Sequence, residues 1–196
     1  FLTVWGFSSD NWKRPDDQVN FLFEQAQAWI EKDAPWLHSR GVRLRHIGRK
    51  ERLPLGLRQA MDKWGELTKE NTGMTIIAAF DYGGRAEIID AVRQIVEAGI
   101  TPQIVDDDLF SRYLYTDGLP DVDLVIRTGG EMRLSNFMIW QAAYSEYYFT
   151  DVLWPDFDIK ELVKALDDYK QRQRRFGGVR ISRLGHQATI LLPPYH

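Results

Sequence analysis

Three nearly unbroken apolar, β-prone runs, at residues 1–7, 74–80 and 122–126, each end in a polar turn that leads toward a stretch with helical spacing. Continuous apolar runs of this length suit strands covered on both faces. After the first run, Asp16 and Asp17 open a helix with Val19, Leu22, Phe23, Ala26, Trp29 and Ile30 on one face. After the second, Ile88, Ile89, Val92, Ile95 and Val96 mark a helix over residues 85–98, closed by Gly99. Alternating strands and helices predict an α/β chain, a mostly parallel sheet covered by helices on both faces. Ligands of such sheets sit outside the carboxyl ends of the strands, so the turns after the three runs should converge on one edge.

The remaining pattern fits the same plan. Residues 42–48 form a short strand and residues 53–70 a helix, despite Gly56 and Gly65. A shorter helix spans 106–115, a further one 135–144, and a strand 146–150. Leu162, Ala165, Leu166 and Tyr169 give the stripe of a last helix ending near Gly177, and Pro35 is expected to break or kink the first helix. A chain of 196 residues suffices for one domain with a real core. It contains no apolar run long enough to span a bilayer, so a soluble protein is expected. Without cysteine, disulfides and thiolate metal sites are excluded; a cytoplasmic location is expected, since no signal peptide is visible. A net charge of −3 is too small to steer polyanions globally, so any phosphate site must be local. The four histidines lack metal-ligand spacing.

The richest candidate follows the third run. The strand stops at Arg127, passes Thr128, Gly129, Gly130, Glu131, Met132 and Arg133, and turns toward Ser135 and Asn136, a helix start signal. Two guanidinium forks, free backbone N–H groups, the Ser135 hydroxyl and a helix N-terminus suit a phosphate or diphosphate. The alternative is that Arg127 and Arg133 are surface partners of Asp121, Asp123 and Glu131. Glu146, set among tyrosines and phenylalanines, needs a metal or a cation; Mg²⁺ shared with a diphosphate is one solution, a nearby arginine the other. After the first run, Asn11 can hydrogen-bond a substrate and Arg14 can hold a second phosphate, or the segment is a solvated loop with Trp12 as packing anchor. Arg172, Arg174 and Arg175 suit either nucleic acid or a helix end that complements the dipole.

Residues 122–158, VDLVIRTGGEMRLSNFMIWQAAYSEYYFTDVLWPDFD, closely resemble the cis-prenyltransferases, the undecaprenyl diphosphate synthase type in particular. Three further motifs occur in that family's order: Phe7-Ser8-Ser9-Asp10-Asn11-Trp12-Lys13-Arg14-Pro15, Asp81-Tyr82-Gly83-Gly84-Arg85, and Arg174-Arg175-Phe176-Gly177-Gly178. The resemblance implies a catalytic domain over residues 1–178 and a tail of unknown role over 179–196. It implies elongation, in which isopentenyl diphosphate adds to an allylic diphosphate of the farnesyl or geranylgeranyl type to give a polyprenyl diphosphate and pyrophosphate. It places Ser8, Asp10 and Asn11 beside the reacting carbons, with Trp12 and Arg14 at the allylic diphosphate; Asp10 stands where Glu is commoner. It assigns Arg127, Arg133, Ser135, Arg175 and Gly177 to isopentenyl diphosphate, and Glu146 to Mg²⁺ across a homodimer. Peripheral contact with a membrane would suit release of a lipid product; nucleic acid is not an expected partner. The family's Asp-Gly-Asn phosphate loop does not occur in this sequence, so its first strand and helix are expected to precede Phe1, and the chain as given to be inactive. The rival readings are a non-catalytic accessory subunit, disfavoured because Arg14, Arg127 and Arg133 remain, and an RNA-binding α/β protein, disfavoured by the acidic balance.

Overall fold

The computed structural model describes residues 1–172, which divide into two compact units. The first comprises residues 1–120 and 134–140, the second residues 121–133 and those from 141 onward.

In the first unit the order is β1 (Leu2–Ser8), α1 (Asp16–Ser39), β2 (Arg43–Ile47), α2 (Leu55–Thr68), β3 (Thr75–Tyr82), α3 (Gly84–Glu97) and α4 (Asp107–Ser111). The strands form a parallel sheet in the order β1-β3-β2, with Ala78 opposite both Val4 and His46. Parallel neighbours need crossovers, and α1 and α2 supply them. Their apolar faces meet β1 in a core containing Phe7, Phe23, Ile30, Leu57 and Met61. Full burial of a side chain such as Leu57 contributes about 1.5–3 kcal/mol. The end of α2 is tied to the sheet by Thr68, whose hydroxyl donates to the Trp64 carbonyl (2.7 Å) and accepts from the Leu44 N–H (2.9 Å).

Two expectations change here. Helix α1 runs through Pro35 to Ser39; Pro35 is exposed, so water can reach the carbonyl its missing N–H leaves unmatched. Helix α4 covers only Asp107–Ser111, started by the Asp106 carboxylate accepting from the Leu109 N–H (2.8 Å), and turns follow it.

The second unit contains a parallel pair, β4 (Leu124–Arg127) beside β5 (Glu146–Phe149), with Leu124 opposite Glu146 and Arg127 opposite Phe149. Helix α5 (Ile159–Gln171) follows, its first turn capped by Asp158 through the N–H groups of Lys160 and Glu161. Ala165 is the point at which α5 is fully buried.

Residues 135–144 form turns, not the expected helix. Ser135, Asn136 and Met138 all have positive φ, which no α-helix allows. The cause is tertiary. Phe137 stacks on Trp5 (4.8 Å between centroids) and meets Tyr82 edge-on (5.8 Å), while Asn136 serves another helix, as described below. Among the described residues no helix is long and apolar enough to cross a membrane.

Candidate functional site

Beyond β1 the chain closes at once into a short 3₁₀ helix, Ser9–Lys13. Ser8 caps it: its hydroxyl accepts from the Asp10 N–H (3.1 Å), and its own N–H donates to the Asn11 side-chain oxygen (2.9 Å). Ser8, Asn11 and Trp12 are thereby fixed within one turn. Asp10 is exposed and pairs with Lys13 (2.9 Å). Arg14 lies just past the turn, exposed, with no carboxylate at ion-pair distance among the described residues.

Trp12 is indeed a packing anchor. Its ring lies 5.4 Å from both Phe7 and Phe23, and its indole N–H donates to the Asp81 carboxylate (2.8 Å). Asp81 also accepts from Arg52 Nε (2.6 Å) and from a second guanidinium nitrogen of Arg52. Tyr82, next along, is buried and donates to Glu87 (2.5 Å). Burial, and then the Glu87 charge, push its phenol well above the usual range.

Gly83 is the point of closest approach. A Cβ there would lie 2.3 Å from Ser9 Oγ and 2.9 Å from Asn136 Nδ2, so only glycine fits. Helix α3 starts without a cap of its own, since Gly83 has no side chain to offer. Asn136 supplies it from a distance: its carbonyl accepts from the Gly84 N–H (2.7 Å) and its side-chain oxygen from the Arg85 N–H (2.8 Å). The segments after β1 and β3 thus meet residues 135–138 around one glycine, and Ser135 is held exposed beside Asn136.

In the second unit, Arg127 and Arg133 converge on one carboxylate. Arg127 Nη2 lies 2.7 Å from Glu131, Arg133 contacts the same oxygen, and Arg127 Nη1 donates to the Arg133 carbonyl (2.7 Å). The loop owes its shape to Gly129 and Gly130, at φ +84° and +75°, a backbone that two successive residues other than glycine would resist. Two of the expected free backbone donors are engaged. The Gly129 N–H donates to the Val152 carbonyl and the Gly130 N–H to Thr150, both at 2.9 Å. With no helix following, an anion at this loop would find no helix N-terminus.

Glu146 begins β5 and pairs with Arg172 (3.1 Å), the arginine alternative raised by its aromatic surroundings. That partner keeps Arg172 charged and lifts its pKa further. Among the described residues no three acidic or histidine side chains gather in a way that could hold a metal ion. One carboxylate is still compatible with Mg²⁺, which commonly takes one or two carboxylates and fills its octahedron with phosphate oxygens and water. Arg175, Gly177 and the 179–196 tail lie outside the described residues.

Sequence reasoning missed Arg52, the buried role of Asp81, and the cap supplied by Asn136. The local signal was an Asp and an Asn beside glycine-rich or turn-forming residues, since both types tolerate left-handed backbone.

A family model described as "Putative undecaprenyl diphosphate synthase" matches residues 1–177. An isoprenyl transferase of Fusobacterium nucleatum is 50% identical over 180 residues, covering 92% of this chain and 77% of that one. Among solved structures, lavandulyl diphosphate synthase from Lavandula x intermedia, in complex with dimethylallyl diphosphate, superposes with a TM-score of 0.86 at 38% identity, over 90% of this chain and 78% of that one. A probable undecaprenyl diphosphate synthase from Campylobacter jejuni gives 0.81 at 33% identity, over 90% and 82%. The chain belongs to the undecaprenyl diphosphate synthase family of prenyltransferases, and it is a cis-prenyltransferase enzyme.

Proposed function

We propose that the protein condenses isopentenyl diphosphate with an allylic diphosphate of the farnesyl type, releasing pyrophosphate and extending a polyprenyl diphosphate by one cis unit. The observation that carries this reading is the convergence of Arg127 and Arg133, six residues apart on one loop, on the Glu131 carboxylate. Two guanidinium forks are thereby brought side by side, and charge-assisted bonds from such forks suit phosphate oxygens. Isopentenyl diphosphate takes this place, exchanging for Glu131, with Ser135 adding a hydroxyl and Arg175 and Gly177 assisting. The allylic diphosphate lies against Arg14, the exposed guanidinium beyond the Ser9–Lys13 turn. Ser8, Asp10 and Asn11 orient the reacting carbons, and Trp12 walls them.

Glu146 offers Mg²⁺ one oxygen once Arg172 releases it. The ion, when bound, offsets charge on the diphosphates and the leaving group. A homodimer whose interface includes the tyrosines and phenylalanines of β5 completes this reading, with the protein in the cytoplasm and touching membrane peripherally as it releases product.

The test, on the protein expressed from its native start, is transfer of radiolabelled isopentenyl diphosphate to farnesyl diphosphate, with Mg²⁺ present or chelated. Labelled polyprenyl product that requires Mg²⁺ is the expected result. Tight binding of both diphosphates without any transfer would replace the reading by a non-catalytic one.

A further inference from the structure

Asp81 is 1% exposed, and burying a carboxylate is costly unless its oxygens are fully engaged. It also sits at φ +50°, a conformation that few residues other than glycine adopt, though Asp is among those that tolerate it. Such a residue persists only where its neighbours compensate, and its partners show what it holds. The Trp12 indole donates to Asp81 Oδ1 at 2.8 Å, and the Arg52 fork spans both oxygens, Nη2 on the same Oδ1 and Nε on Oδ2 at 2.6 Å. The same guanidinium lies over the Trp12 ring, 5.0 Å from its centroid. Trp12 is therefore gripped at its N–H by a carboxylate, on its face by a cation, and by Phe7 and Phe23.

Burial of an indole does not by itself demand this arrangement. Trp5 and Trp64 both bury their N–H groups without a hydrogen-bond partner among the described residues. Trp12 differs in where it stands: between Asn11 and Arg14, in a five-residue turn with no buried residue of its own. Of that turn's other side-chain bonds, those of Asn11 and Asp10 with Ser8 run to the last residue of β1, and that of Lys13 with Asp10 is internal to it. Its side-chain tie to β3 is the Trp12–Asp81 bond.

We infer that Asp81 is a positioning residue for the allylic substrate, fixing Trp12 and through it the placement of Asn11 and Arg14. The inference rests on the proposed function, which puts the allylic diphosphate at Arg14. Since Asp81 reaches that segment through Trp12, losing it should weaken the allylic diphosphate selectively. A merely structural role would lower the melting temperature while leaving the ratio of the two substrate affinities unchanged.

Calorimetric titration of the purified protein with farnesyl diphosphate and with isopentenyl diphosphate separates these cases. Asp81→Ala should raise the dissociation constant for farnesyl diphosphate at least about tenfold and that for isopentenyl diphosphate less than about twofold. Asp81→Asn, which keeps an oxygen acceptor for the indole, should recover most of the loss. Should Asp81→Ala fail to fold, the cycle of Asp81→Gly, which suits the φ of +50° and removes the acceptor, Trp12→Phe and their double variant decides. A double variant no worse than Trp12→Phe alone supports the coupling, and additive effects overturn it. Equal loss of both ligands, or none, also overturns the role of Asp81. If the unmodified protein binds neither diphosphate, it is the proposed function that fails.

Discussion

At the end of β1, Trp12 and Arg52 are held by a carboxylate with no exposed side-chain surface; at the end of β4, Arg127 and Arg133 meet Glu131, which stays 42% exposed. Both places contain arginine and carboxylate at hydrogen-bond distance. Environment separates them. A buried carboxylate that loses its cation has nowhere to find another, so the Asp81 grouping is fixed when the chain folds. An exposed pair contributes about 0–1 kcal/mol and exchanges readily for a competing anion. The first therefore sets geometry, and the second, under the proposed function, is where a diphosphate would displace Glu131.

The largest expected effect comes from breaking the fixed grouping. Arg52→Met leaves Asp81 buried with the indole as its remaining side-chain partner, and should cost about 2–3 kcal/mol in denaturant unfolding, below the deep-burial figure because Arg52 is half exposed. A loss under about 0.5 kcal/mol would place the two carboxylates in one class. Next comes the exchangeable pair. Arg127→Ala or Arg133→Ala each removes a charge-assisted contact worth about 1.5–3 kcal/mol, so isopentenyl diphosphate should bind at least tenfold more weakly. Separate titration of the two substrates checks this, and an effect confined to the allylic one would reverse the assignment.

A smaller effect sharpens the contrast from the side of burial. His46, on β2, contacts the Phe80 carbonyl (3.0 Å), and burial pushes its pKa from 6.5 down to about 4. A folded pKa below the unfolded one means that the unfolded chain takes up the proton first. Its contribution is complete above pH 6.5 and is lost as pH falls from there toward 4. Between pH 7 and 5.5 this amounts to about 1 kcal/mol, visible as a falling melting temperature that His46→Asn should flatten. Smallest of all, Glu131→Gln should change unfolding free energy by less than about 0.5 kcal/mol, since it removes only an exposed partner.

What the sequence revealed divides along the same line. The runs at 1–7, 74–80 and 122–126 announced their strands through β-prone, apolar composition, although burial is less complete than that reading implied: β1 buries Phe7, β4 Val125, and β3 alternates buried with half-buried residues before Tyr82. Ser8, Asn11, Arg14, Arg127 and Arg133 could be picked out by residue type and motif, and the structure places them on two strand ends. Residues 135–144 misled because their pattern is helical by local measure, whereas Asn136 and Phe137 answer to partners more than fifty residues away. The backbone donors of Gly129 and Gly130 looked available for the same reason: Val152 and Thr150, which use them, come later in the chain.

The long-distance cap on α3 also bears on how the molecule comes to be folded. The first N–H groups of a helix need acceptors, and here two of them wait for Asn136, 51 residues after Arg85. Contacts of such sequence separation carry a loop-closure cost, and during synthesis Asn136 emerges well after β3 and α3. The body of α3 can form early on β3, but its first turn, with Gly83 and Gly84, becomes definite only when residues 134–140 arrive. During synthesis the strand-end cluster around Gly83 is thus among the last parts to become native, after the sheet that supports it.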